Sequence, residues 1–216
     1  MFKEYLPSNS VEILAKLRSI LIEYGFYLAG GTALALQIGH RYSKDLDFFT
    51  QKSFKEEILA NRSIKEGAKI RLVDEGAVHL EIQDISVSFF YYPYPLLFDT
   101  VDFDRIKVAH IKDIAAMKLL ALTQRTEKKD YFDIAEVFKR ISPKELKGIT
   151  VEKYGKSRLN WYSIVKSLFF FSDVEDSPDP IYSDKTWGWE KIKEFLLTKK
   201  EEIETVFLHV EGLKGI

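Results

Sequence analysis

The sequence contains no cysteine among its 216 residues. That excludes a disulfide framework and any thiolate metal centre, and it fits a protein kept inside the cell. Nor is there an excess of charge of either sign: 32 Lys and Arg against 33 Asp and Glu leave a formal net charge of -1. No global field therefore steers the chain toward nucleic acid or an anionic membrane, and any polyanion site must be a local patch. The N-terminal MFKEYLPSNS lacks the apolar stretch of a secretory signal. The longest apolar run, near Leu168–Phe171, falls far short of the roughly 20 residues that span a bilayer. The expectation is a soluble, cytoplasmic chain with no membrane partner. What is abundant is apolar and aromatic side chain, 46% and 14% of the sequence. That content excludes disorder and is enough for one sizeable core or two small lobes.

No internal repeat or low-complexity tract is visible. Asn9 or Ser10 caps a predicted helix reaching about Tyr24, with Val11, Leu14, Leu17, Leu21 and Ile22 as its apolar stripe. Phe26–Ala29 reads as a buried strand running into Gly30-Gly31, Thr32–Ile38 as a helix packed on a sheet, and Asp45–Phe49 as a second strand. Ser53 and Glu56 match a capping box for a helix to about Asn61. Lys69–Val73, Val78–Gln83, Ile85–Tyr92 and Val101–Ala109 are strand-like, the middle pair joined by a tight hairpin or bulge near Asp84. From His110 the strand pattern stops. Ile111–Thr123 and Tyr131–Arg140 are helical, and Ser142-Pro143-x-Glu145 combines an N-cap, a first-turn proline and a capping box. Trp189, Ile192, Phe195, Leu196, Ile203 and Phe207 trace one long C-terminal helix, with Ser172–Asp184 as a loop. The predicted class is α+β: a mixed sheet with helices over residues 1–109, then an all-helical lobe over residues 110–216.

Two neighbouring features carry chemistry. Gly30-Gly31-Thr32 follows a strand and opens a helix. Glycines there let the backbone approach a phosphate, and the helix N-terminus offers free N–H groups and a positive dipole end. Asp45 and Asp47, two apart on a strand, point to one face. Such a pair can hold Mg²⁺ against a triphosphate. Farther on, Lys118 lies in the apolar stretch Ile114–Leu122. An unpaired ammonium buried there is costly, so a triphosphate or a carboxylate must answer it. Seven residues on, Arg125 shares its helix face, roughly 10 Å along the axis.

The stretch GGTALALQIGHRYSKDLDFF resembles the signature of the nucleotidyltransferase superfamily, and more narrowly the AbiEii/AbiGii toxin group of minimal nucleotidyltransferases. Lys118, Ala121 and Arg125, then Lys129, Asp130 and Asp133, are similar to that group's second motif, and SLFFFSDVEDSPDP and WGWEKIKEF to its tail. The likeness runs from about residue 10 to 200. It implies a nucleotidyltransferase fold and Mg²⁺-dependent transfer of an NMP from an NTP to a hydroxyl. The implied acceptor is a tRNA 3′ end or a protein, in an abortive-infection or toxin–antitoxin setting with an antitoxin as partner. By the same resemblance Asp45 and Asp47 hold the metal, while Gly30 and Gly31 cradle the phosphates, assisted by Thr32. Arg41, Ser43 and Lys44 reach phosphate, and Lys118 and Arg125 stabilise its charge. Lys129, Asp130 and Asp133 close the site from the helical lobe.

One departure stands out. Many active superfamily members add a third carboxylate from a later strand, and here Ser88 aligns with it. Glu81 or Asp84 can substitute only if the hairpin register turns one of them inward. Blander readings accompany each feature: a plain tight turn at Gly30-Gly31, a structural ion pair between Asp47 and Lys118 or Arg125, and a dipole-favoured helix start at Lys129, Asp130 and Asp133. His40, His79, His110 and His209 lack metal-ligand spacing. A catalytically weakened NTP-binding protein working through a partner is the alternative function, and a small-molecule nucleotidylating enzyme is a third.

Overall fold

Alternating burial along the strands organises the N-terminal half. The computed structural model describes residues 1–124 and 127–208, and the chain divides into two compact units, Met1–Ile114 and from Ala115 onward. In the first, α1 (Ser10–Tyr24), β1 (Tyr27–Ala29), α2 (Gly30–Ile38), β2 (Asp45–Thr50) and α3 (Glu56–Lys65) precede five strands. These are β3 (Lys69–Asp74), β4 (Ala77–Ile82), β5 (Ile85–Tyr91), β6 (Val101–Phe103) and β7 (Ile106–Val108). They form one mixed sheet in the order β3-β4-β5-β2-β1-β7-β6. β2 runs parallel to β5 and β1 parallel to β7, and the other neighbours are antiparallel.

On β2 and β4 every second residue is buried. Leu46, Phe48, Val78, Leu80, Val87 and Phe89 build one face of the sheet into the core, where the Phe48 and Phe89 rings stack at 5.5 Å and Phe26 meets Phe89 at 4.8 Å. The opposite face of the same three strands carries Asp45, Asp47, Ser86, Ser88, His79 and Glu81. The helical unit begins within α4 (Ile111–Ala121) and continues through α5 (Lys128–Phe138), α6 (Pro143–Tyr154), α7 (Trp161–Phe169), α8 (Trp189–Thr198) and α9 (Lys200–Leu208). Tyr131, wholly buried on α5, donates its hydroxyl to the carbonyls of Ser167 and Phe170 and so ties α5 to the end of α7. No helix among the described residues is long and apolar enough to cross a membrane.

Several local expectations are corrected. The buried stripe of α1 is Ile13, Leu14, Leu17, Ile20 and Leu21, while Val11 and Ile22 are 49% and 66% exposed. Positions 13, 14, 17, 20 and 21 follow the helical period more closely than the stripe predicted from sequence. The Ser53–Glu56 capping box does not form: α3 starts at Glu56 itself, whose carboxylate instead accepts from the Gly76 amide at 2.8 Å and holds the β3–β4 turn. Val101–Ala109 is not one strand but a hairpin, turned by Asp104 and Arg105 at φ 47° and 64°. The long C-terminal helix breaks at Lys199 because its halves pack on different partners, α8 on α5 and α9 on α6 and α7. The Ser142 cap does form, its hydroxyl accepting from the Glu145 amide at 3.2 Å.

The two versions of the α1 stripe give a direct test. Ile20→Ala removes a wholly packed side chain and is expected to cost about 2–5 kcal/mol in urea unfolding, whereas Ile22→Ala stays within about 0.5 kcal/mol.

Candidate active site

Strand register brings the polar residues into a row. Ala29, the last residue of β1, pairs with Asp47 on β2, Asp47 pairs with Ser88 on β5, and Ser88 pairs with His79 on β4. One step along, Asp45 pairs with Ser86 and Ser86 with Glu81. Both aspartates therefore share the open face of the sheet, as their i, i+2 spacing requires. Immediately after Ala29 the chain turns through Gly30 at φ +69°, where a Cβ would lie 3.1 Å from Asp47 Oδ2. The glycine is required twice over, for the left-handed backbone and for the close approach of the carboxylate. The glycine turn and the Asp-x-Asp strand are thus one structure in space.

The other residues proposed for phosphate fall into two groups. Thr32 is buried, and its hydroxyl bonds the Asp45 carbonyl and lies 2.6 Å from the Ser43 hydroxyl. It ties the start of α2 to the start of β2; of the two Thr32 groups expected to assist phosphate, hydroxyl or N–H, the hydroxyl is engaged in the frame. Arg41 is also buried, with Nη1 donating to the Tyr42 carbonyl at 3.0 Å. Gly31 stays in the first turn of α2 and Lys44 is exposed beside Asp45.

The register also decides the third-carboxylate question. Asp84 sits in the β4–β5 turn at φ 63°, off the strand. Glu81 is on the correct face but two strands from Asp45, and Arg71 and Lys69 engage its carboxylate. The Arg71 hydrogen bond, partly opposed by desolvation, holds Glu81 below the usual carboxylate range. Ser88 stands beside Asp47, 5% exposed, with its hydroxyl 3.0 Å from His79 Nδ1. Among the described residues no three His, Asp or Glu side chains converge as a ready metal cage. Two carboxylates on one face remain a suitable donor set for Mg²⁺, which commonly takes one or two protein carboxylates and completes its octahedron with water and substrate phosphate.

In the helical unit, Lys118 Nζ lies 2.8 Å from Asp130 Oδ1 and 2.6 Å from Asp133 Oδ2, with all three side chains at most 10% exposed. Carboxylates, then, answer the buried ammonium. The buried Asp130 Oδ2 has no hydrogen-bond partner among the described residues. Asp130 and Asp133 do more than start a helix: both are buried and spent on Lys118, while the half-exposed Lys129 pairs with Glu127 at 2.6 Å. Arg125 lies outside the described residues. Reading the histidines by metal spacing alone missed His79. The signal was present in the two-residue turn Gln83-Asp84, which sets the positions three before Ile82 and three after Ile85 opposite one another.

A family model for the nucleotidyl transferase AbiEii toxin of type IV toxin–antitoxin systems matches residues 12–98 and 78–186. The chain belongs to the AbiEii nucleotidyltransferase toxin family. An uncharacterized protein of Aquifex aeolicus (strain VF5) is 37% identical over 205 residues, covering 91% of this chain and 97% of that one. Among solved structures, MenT4, a nucleotidyltransferase toxin from Mycobacterium tuberculosis H37Rv, superimposes with a TM-score of 0.52 at 16% identity over 92% of this chain and 90% of its own. The antibiotic-resistance factor ANT(2″)-Ia gives a TM-score of 0.51 at 11% identity over 67% and 90% of the two chains. At those identities the structural likeness concerns the nucleotidyltransferase fold alone, while membership of the AbiEii family makes the chain a nucleotidyltransferase of a toxin–antitoxin family.

Two substitutions probe this arrangement. Gly30→Ala forces a left-handed alanine against Asp47 and is expected to cost about 1–3 kcal/mol in thermal unfolding while the fold survives. Lys118→Met leaves two buried carboxylates without their cation, and a larger loss of about 3–5 kcal/mol is expected by the same measurement.

Proposed function

We propose that the chain transfers a nucleoside monophosphate from an NTP, with Mg²⁺, to a hydroxyl of an RNA acceptor such as a tRNA 3′ end, and that an antitoxin restrains it in the cytoplasm. One observation carries the reading: Gly30 at φ +69° stands against Asp47 Oδ2, so a phosphate-approach turn and a carboxylate pair occupy one spot. In this reading Asp45 and Asp47 hold the metal, which would draw in the triphosphate and neutralise its charge. The amides of Gly30, Gly31 and Thr32 at the head of α2 receive the phosphates, with Ser43 and Lys44 beside them. Lys118, Lys129, Asp130 and Asp133 belong to the reading as the helical unit's own charged cluster, in which Lys118 is held by Asp130 and Asp133. Arg125 keeps the same proposed role.

RNA as the acceptor is supported by a groove of about 770 Å³ on the helical unit, where Lys144, Lys156, Trp161 and Tyr162 stand beside the apolar Val151, Val206, Phe207 and Leu208, and Lys147 donates to the Val206 carbonyl. Cations that track a phosphate backbone, interleaved with aromatic faces, are what single-stranded nucleic acid binds. Ser88 in place of a third carboxylate sustains the second reading, an NTP-binding protein that acts through its partner.

Label transfer separates the two. With each α-labelled NTP, Mg²⁺, total tRNA and a protein lysate, label is expected on RNA. Chelation should abolish it, and the Asp45→Asn/Asp47→Asn double variant should lower it at least about a hundredfold. Nucleotide binding with no label on any acceptor overturns the transferase reading in favour of the binding protein.

A further inference from the structure

The residue beside Asp47 has a partner that the proposed chemistry leaves unused. Ser88 is buried, only 5% exposed, and its hydroxyl lies 3.0 Å from His79 Nδ1 across an antiparallel pair whose register sets the two residues opposite each other. A buried hydroxyl needs a hydrogen-bond partner, yet a backbone carbonyl or a second serine would serve. Here the partner is the one side chain whose ordinary pKa lies near neutrality. With the ring proton on Nε2, Nδ1 accepts from Ser88, and Nε2 makes no hydrogen bond to the described residues. The Phe90 ring meets the imidazole edge-on at 5.4 Å and limits its rotation.

The charges facing this ring are few. On β4 itself Glu81 shares its face, already engaged by Arg71 and Lys69 of β3. Asp74 lies on β3 at the register of Ala77, and Leu72 is the strand partner of His79. Beyond Ser88, across one more strand, stand Asp47 and Asp45, roughly 10 Å from β4 backbone to β2 backbone.

We propose that Ser88 and His79 form a proton relay that deprotonates the acceptor hydroxyl in nucleotidyl transfer, at the position where a third carboxylate would otherwise act. The proposal rests on the reading of the Asp45–Asp47 site given above. The acceptor oxygen forms its bond to the α-phosphorus as the bridging oxygen–phosphorus bond breaks and pyrophosphate leaves. The acceptor proton passes to Ser88 Oγ while the proton of Ser88 passes to His79 Nδ1, and the imidazolium then loses a proton from Nε2 to solvent. Ser88 is the residue that touches the acceptor. His79 acts through it as base and as positioning residue, in the way a base activates a hydroxyl in nucleophilic catalysis. A carboxylate at position 88 would do both tasks at once, which provides the test.

Four variants are compared with the parent protein: Ser88→Ala, His79→Phe, His79→Gln and the double variant His79→Phe/Ser88→Asp. Label transfer is measured at saturating NTP, with nucleotide affinity and melting temperature measured in parallel. The three single variants are expected to lose about a hundredfold in transfer rate with affinity unchanged. The double variant is expected to regain transfer, because the new carboxylate needs no histidine. Parental rates in the single variants overturn the relay, as does a double variant that melts normally yet stays as slow as His79→Phe. Parent protein that transfers no label, or transfers it equally well with Asp45→Asn/Asp47→Asn, instead overturns the reading of the site, and the relay falls with it.

Discussion

The lateral register of β1, β2, β5 and β4 is the constraint on which the polar site depends. Ala29, Asp47, Ser88 and His79 lie in one row only because each strand is held in a single alignment against its neighbour. The aspartates do not set that alignment. The apolar residues between them do: Leu46 and Phe48 on β2, Val87 and Phe89 on β5, and Val78 and Leu80 on β4 are almost fully buried. Strand side chains alternate with a period of two, so a one-residue slip of β2 would drive Asp45 and Asp47 into the core and turn Phe48 out to water. Burying two carboxylates in an apolar core and exposing a large aromatic ring both oppose that slip. The packed rings of Phe26, Phe48 and Phe89 are therefore the reason the opposite face is aligned.

A related economy is seen at the start of α2. The Thr32 hydroxyl bonds Ser43 and the Asp45 carbonyl, so the turn that approaches phosphate is fastened to the strand that carries the carboxylates. Gly30 brings the backbone within contact of Asp47 at a φ that other residues avoid. Two motifs separated by thirteen residues of chain become one rigid corner.

The helical unit solves a different electrostatic problem. Lys118, Asp130 and Asp133 are desolvated together, and such clusters contribute less to stability than their short distances suggest, because dehydration offsets most of the attraction. Their arrangement is specific all the same: Lys118 is the ammonium that both buried carboxylates share, and removing it takes that charge from each of them. Within the cluster the buried Asp130 Oδ2 has no hydrogen-bond partner among the described residues. Together with the shared descent of the AbiEii nucleotidyltransferase toxins, these features give each unit of the chain its own charged centre.

The sequence by itself determined the elements whose signals are local. The glycine turn, the Asp-x-Asp strand, the Ser142-Pro143 helix start and the change from strands to helices near residue 110 depend on neighbours a few positions apart, and all of these reappear in the structure. The motif order was also enough to mark the family. Where competing local choices exist, tertiary packing decided. Glu56 left its capping box because the Gly76 amide was a better partner. The α1 stripe rotated to bury Ile13 and Ile20, and the C-terminal helix broke at Lys199 where its two halves meet different helices. Long-range pairing decided the site as well: Lys118 found Asp130 and Asp133, Thr32 turned inward, and Ser88 met His79. Those partners are set by strand register and helix packing, which depend on the sum of many buried contacts and not on the spacing of any two residues in the chain.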